Sequence, residues 1–201
     1  MGQSTRLYTA GKGGAVSGSV PPGLVPASTG ATNNASLPAT QSITGTSETV
    51  IADPAIQGGG TALILSIPPG GPCEQEPFEI SASGIVNTGA SSTVTIKLYS
   101  GTSLTPGSNT LLKSSGAITA FTGKSNWWIK ARLLYDTTSG ELNGTVQFMV
   151  NNNLVAEAAV TNVVTGISNT ANPVASFVVS VQFGTGNANT TFTIHDFGVN
   201  H

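Results

Sequence analysis

Two histidines, one cysteine and a thin scatter of carboxylates make up most of the reactive inventory of this sequence. His195 alternates to the outward side of the last predicted strand and His201 is terminal, so neither is placed to act as a general base. No Gly-x-Ser-x-Gly elbow supplies a nucleophile. Glu74, Glu76 and Glu79 lie in or beside a Pro-rich connection and would suit a hard cation, but they lack the alternating Asp and Asn ligands of a dedicated calcium loop. A solvated or intersubunit role fits them better. Asp136, Glu141 and Glu157 are the carboxylates from which a glycosidase pair would have to come, yet they fall in turns or on solvent faces. Gly11-Lys12-Gly13-Gly14 and Gly58-Gly59-Gly60 have neither Walker nor dinucleotide spacing. Cys73 has no second cysteine to pair with and no zinc spacing. The expectation is a non-enzymatic chain with no catalytic residue, cofactor or metal.

Binding chemistry has one clear candidate, the pair Trp127-Trp128. Adjacent strand residues point to opposite faces, so one of the two must leave the core. An outward Trp128 would stack on a sugar ring, fill a pocket on a neighbouring subunit, or be covered by the chain's own arm or loops.

The elements that must position these residues are strands. From about Gly45 onward, short apolar or alternating runs are separated by turn residues, and no segment has helical periodicity. The predicted strands are Glu48 to Ala52, Ala62 to Ile67, Phe78 to Ile85, Thr93 to Tyr99, Thr110 to Lys113, Trp127 to Asp136, Leu142 to Val150, Leu154 to Val160, Val174 to Phe183 and Thr191 to Val199. Val94, Ile96 and Leu98 share an inward face, as do Trp127, Ile129, Ala131, Leu133 and Tyr135; Val146, Phe148 and Val150; and Phe177, Val179, Val181 and Phe183. Turn chemistry at Asn151-Asn152-Asn153 predicts a meander from Trp127 to Val160, and that at Gly184-Thr185-Gly186-Asn187 a terminal hairpin from Val174 to Val199. Asp53 to Gly60, Pro68 to Pro77 and Ser114 to Asn126 read as crossovers between sheets. The fold class is all-β, a jelly-roll-like antiparallel β-sandwich, over residues 46–201.

Residues 1–45 have a different texture, with Gly, Ser, Thr, Ala and Pro in most positions and only Arg6 and Lys12 as charges. Apolar residues occur there without period: Leu7, Tyr8, Val16, Val20, Leu24, Val25, Leu37 and Ile43. Ordering about forty residues costs roughly 1–2 kcal/mol each in backbone entropy, more than these side chains return by packing on one another. The segment is expected to be an extended arm that lays those residues on a partner.

Composition narrows the partners. The 201 residues carry only 8% charged side chains and a net charge of -2, with seven Lys and Arg spread along the chain, so nucleic acid is not an expected partner. No run approaches membrane-spanning length, and no apolar run follows Met1 to Arg6 that would serve as a signal peptide. Sequons at Asn34, Asn143 and Asn189 are the chance product of a composition rich in Asn and Thr.

The stretch Ile96-Lys97-Leu98-Tyr99-Ser100-Gly101-Thr102, then Ala131-Arg132-Leu133-Leu134-Tyr135-Asp136, then Gln147-Phe148-Met149-Val150-Asn151-Asn152 resembles virion proteins of tailed bacteriophages, in particular head decoration (cement) proteins. The likeness covers roughly residues 78–200 and rests on texture and strand order. It implies a jelly-roll subunit, often a homotrimer, bound to major capsid protein on the outer capsid surface, while the lack of a signal-peptide run adds the expectation that it is made in the host cytoplasm. It carries over no catalytic residues. Two other readings stay open: a carbohydrate-binding module of a tail fibre or adhesin using Trp128, Tyr99 and loop Asn residues, and a major or minor shell protein.

Overall fold

A computed structural model describes residues 37–53, 61–67, 77–89, 91, 93–119, 121, 123–136, 139–165, 175–186 and 189–200. The described chain is an all-β sandwich of two antiparallel sheets. The front sheet has the order β1 (Ala39–Ser42), β12 (Thr191–Asn200), β4 (Phe78–Asn87), β8 (Lys124–Asp136), β9 (Glu141–Val150), β10 (Asn153–Val164). The back sheet has the order β2 (Thr49–Val50), β11 (Ala175–Phe183), β5 (Thr93–Ser100), β6 (Thr110–Ser114), with β3 (Leu65–Ile67) also on β11 and β7 (Ile118–Thr119) also on β5.

Period-two patterning builds both inner faces. In β8, Trp127, Ile129, Ala131, Leu133 and Tyr135 are all buried while Lys130, Arg132 and Leu134 between them are exposed. The inward residues predicted in β5, β9 and β11 are buried as well, and they join one core with Phe78, Ile80, Phe192 and Phe197. Each such side chain removed from water contributes roughly 1.5–3 kcal/mol, which is what holds the two sheets together. The chain crosses between the sheets after β1, β3, β4, β7, β10 and β11, and stays within one sheet at its other connections. The meander β8-β9-β10 is present, and the segments between β3 and β4 and between β6 and β8 do cross from back to front.

Three expectations are corrected. The terminal hairpin does not exist, because β11 lies in the back sheet and β12 in the front. A strand has two edges, and those of β11 are already taken by β5 on one side and β2 and β3 on the other. Turn residues at Gly184-Thr185-Gly186 therefore turn a corner between sheets. Second, the segment from Asp53 to Gly60 joins two strands of the same sheet. The chain pairs Val50 with Ser180 of β11, leaves, and returns to pair Leu65 with Phe177, the excursion pinched shut by the Ala52 to Ala62 bridge. Asp53 N–H donates to Thr61 O at 2.9 Å and Leu63 N–H to Ile51 O at 2.8 Å.

Third, the sandwich begins earlier than residue 46. Ala39–Ser42 pairs with β12 from Ala39↔Ile194 to Ser42↔Thr191. Ile43 is 4% exposed inside the core and Leu37 packs on it, so neither is free to reach a partner. Edge pairing uses backbone groups, and in Ala39-Thr40-Gln41-Ser42 the inward positions are the small Ala39 and the polar Gln41, whose Oε1 accepts from Ala52 N–H at 3.1 Å, which leaves no apolar alternation to read. Leu7, Tyr8, Val16, Val20, Leu24 and Val25 lie outside the described residues.

The β9-β10 connection is a two-residue turn in which Asn151 and Asn152 have φ of 54° and 59°. Asn tolerates this left-handed geometry, and both side chains are tied to the start of β8: Ser125 Oγ donates to Asn151 Oδ1 at 2.9 Å and Asn126 Nδ2 to Asn152 Oδ1 at 2.8 Å. Asn152→Ala is expected to lower stability by about 1 kcal/mol, read as a shift in the urea midpoint at unchanged slope.

Candidate functional site

The outer face of the front sheet follows from register. One row runs Asp196, Ser83, Trp128, Met149, Leu154 across β12, β4, β8, β9 and β10. The next runs Ser81, Lys130, Gln147, Glu157 from β4 to β10. On the other side Ile85 pairs with Asn126, which puts Ile85 diagonal to Trp128. Ile85, Trp128, Met149 and Leu154 thus form a ladder over four strands, roughly 14 Å long at the usual strand spacing of about 4.8 Å.

Parity decides the fate of the tryptophans. Trp127 turns inward, is 1% exposed, stacks on Phe192 with ring centroids 4.5 Å apart, and its Nε1 donates to Thr193 O at 3.2 Å. Trp128 turns outward and is half-buried, with Lys130 Nζ 5.8 Å from its ring centroid. That ammonium sits 3.9 Å from Glu79 Oε1, a loose solvent-facing pair worth well under 1 kcal/mol. A register shift in β12 between Ile194 and Asp196 turns both His195 and Asp196 to solvent. His195 is thus outward, as read from alternation.

The outer face of the back sheet carries a second polar group that has a different character. Glu48 reaches across β11 to β5: its Oε2 accepts from Lys97 Nζ at 2.5 Å, and its Oε1 accepts from Tyr99 Oη at 2.7 Å and Ser180 Oγ at 2.5 Å. Ser180 is fully buried and Tyr99 nearly so, beside Val50, Ala62 and Val178. Burial pushes the Glu48 carboxyl up, but the bonds from Lys97, Ser180 and Tyr99 outweigh it and hold the group below the usual carboxylate range. Burial, then the Glu48 hydrogen bond, pushes the Tyr99 phenol well above its ordinary value. Each polar side chain of the cluster is hydrogen-bonded within it, and Ser180 has no access to solvent. The cluster fastens the edge strand β2 to its sheet.

Sequence reasoning missed Glu48, and no local signal points to it, since its partner Ser180 is 132 residues away. The structure also separates two residues that the sequence reading grouped: Tyr99 lies on the back sheet, nearly buried, so it cannot share a sugar platform with Trp128 on the front. Glu79 pairs with Lys130, while Cys73, Glu74, Glu76 and both glycine runs lie outside the described residues. Asp136 and Glu141 face each other across the β8-β9 hairpin, with Asp136 accepting from Ser139 Oγ at 2.9 Å. No group of three or more His, Cys, Asp or Glu side chains gathers as a metal site among the described residues.

Fold and surface together define a class, an all-β sandwich presenting an aromatic and polar sheet face. In comparisons with family models, curated proteins and solved structures, nothing matched the chain.

Proposed function

We propose that this chain is a structural protein of a virus particle, a capsid decoration protein that binds major capsid protein on the outer shell as a homotrimer. The observation that carries the reading is where the exposed large apolar side chains sit. Among the described residues these are Ile85, Leu111, Leu134, Leu154 and Val164, and three of them, Leu111, Leu154 and Val164, lie on β6 and β10. Those strands end the two sheets on the same flank, in contact with each other. Leu154 is 53% exposed and Val164 64%. Exposed apolar side chains spaced along two open sheet edges suit permanent contact with neighbouring subunits. The resemblance to decoration proteins and the composition of the leading residues support the same reading. Linking three copies multiplies weak contacts into avidity on the order of 10²–10⁴.

The truncation that tests it must spare β1, so it removes residues 1–36. In co-sedimentation with capsid shells, residues 37–201 are expected to keep the near-UV circular dichroism of the full chain and lose at least about 100-fold in affinity. Binding equal to that of the full chain would exclude the arm as the tether.

A further inference from the structure

We infer that the outer face of the front sheet around Trp128 is a binding site for a neutral glycan, with one hexopyranose ring stacked on the indole. This goes beyond the decoration reading and does not rest on it.

A hexopyranose has two kinds of surface, a patch of C–H groups and a rim of hydroxyls, and both are met here. The C–H patch suits the electron-rich face of Trp128, which no other aromatic ring covers among the described residues; the Lys130 ammonium, 5.8 Å from the ring centroid on a side chain that is 53% exposed, has to swing aside as the sugar stacks. Met149, the direct cross-strand neighbour, extends the apolar strip beyond the indole. Ser83 stands one strand from Trp128 on the other side, and Gln147 is diagonal to it on β9. Asp196 closes the row two strands away, roughly 10 Å at ordinary strand spacing. That is about the length of a disaccharide.

The state of the polar groups selects the occupant. Among the described residues Ser83, Gln147 and Asp196 have no side-chain partner, unlike the Asn126, Asn151 and Asn152 side chains at the nearby turn, which are engaged with β8 or with one another. An apolar protein surface laid on Trp128 would bury three unsatisfied polar side chains, at roughly 1–3 kcal/mol each. Sugar hydroxyls both donate and accept, so they satisfy the hydroxyl, the amide and the carboxylate together. Charge selects the class of glycan. Lys124, Lys130 and Arg132 on this face are offset by Glu79, Asp136, Glu141, Glu157 and Asp196, leaving no positive field to hold a sulfated chain or a nucleic acid.

The test is a printed array of neutral hexose oligosaccharides with sialylated and sulfated glycans alongside, probed with the full chain, followed by titration calorimetry on the strongest neutral oligosaccharide. The full chain is expected to bind neutral spots. Trp128→Ala should weaken that binding at least tenfold, Gln147→Ala several-fold, and Trp128→Tyr, which keeps an aromatic face, less than about threefold. All three variants should melt within about 4 °C of the parent. No binding to neutral spots, binding confined to anionic glycans and abolished by salt, or full affinity in Trp128→Ala would each overturn the proposal. A Trp128→Ala variant that keeps capsid binding while losing the glycan separates this site from the decoration role.

Discussion

Replacing Trp127 with alanine is expected to cost about 4 kcal/mol of folding stability, whereas the same change at its neighbour Trp128 costs about 1 kcal/mol. Trp127 is 1% exposed, stacked on Phe192, and its indole N–H satisfies the carbonyl of Thr193. Truncation there opens a cavity between the sheets and strips a partner from a backbone oxygen. Trp128 loses its contact with the Lys130 ammonium and some covered area on an open face. For a chain of this size the difference corresponds to roughly 10 °C in melting temperature, measurable in a single thermal scan. Equal costs at the two positions would mean that the β8 register, and with it the assignment of faces, is wrong.

Glu48→Ala is expected to cost about 3 kcal/mol, because it leaves Lys97 partly buried without its counter-ion and removes the acceptor shared by Tyr99 and Ser180. The figure is below that of a fully enclosed ion pair, since the two side chains retain 20% and 16% exposure. Adding Lys97→Met to Glu48→Ala should recover part of the loss, as the stranded charge is gone. The same group sets an acid limb. A carboxyl depressed in the folded state contributes stability that is present above its unfolded pKa of about 4.3 and is lost as pH falls through the folded value. Thermal melts of the wild-type chain should therefore decline below about pH 4.5, and Glu48→Gln should start lower and decline less over that range. The raised Tyr99 phenol works in the opposite direction: its contribution is whole below about pH 10 and is lost as pH rises beyond that. An acid limb identical in Glu48→Gln would place the titrating group elsewhere.

How much of this could be read from the residues depended on how local the signal was. Strands with one buried face announce themselves by alternation, and β5, β8, β9 and β11 lie where Val94, Trp127, Val146 and Phe177 put them. Strand β1 was hidden because Ala39-Thr40-Gln41-Ser42 joins the sheet through its backbone, and its inward positions hold one methyl group and the amide of Gln41 in place of large apolar side chains. Partners of the last strand were misread for a related reason. Glycines and Asn near residue 185 signal that the chain turns, but not whether it returns to the same sheet, which depends on edges occupied by strands far away in sequence. Alternation placed Ser180 on the face opposite the main core, which is right, but it could not show that this face is covered and that Glu48 meets it there. At the candidate glycan site, Trp128 was legible from the tryptophan pair alone. Gln147, Ser83 and Asp196 were not, because cross-strand register, and a shift in β12, bring them into its row.

The most direct measurement of the central claim is a cryo-electron microscopy reconstruction of virus particles that contain this chain. The account predicts sandwich-shaped density on the outer shell at fixed stoichiometry to major capsid protein, with neighbouring copies meeting along the β6 and β10 flank and the leading residues running onto the shell. Ordered copies found only inside the particle or on the tail, or no ordered copies on the shell at all, would contradict it.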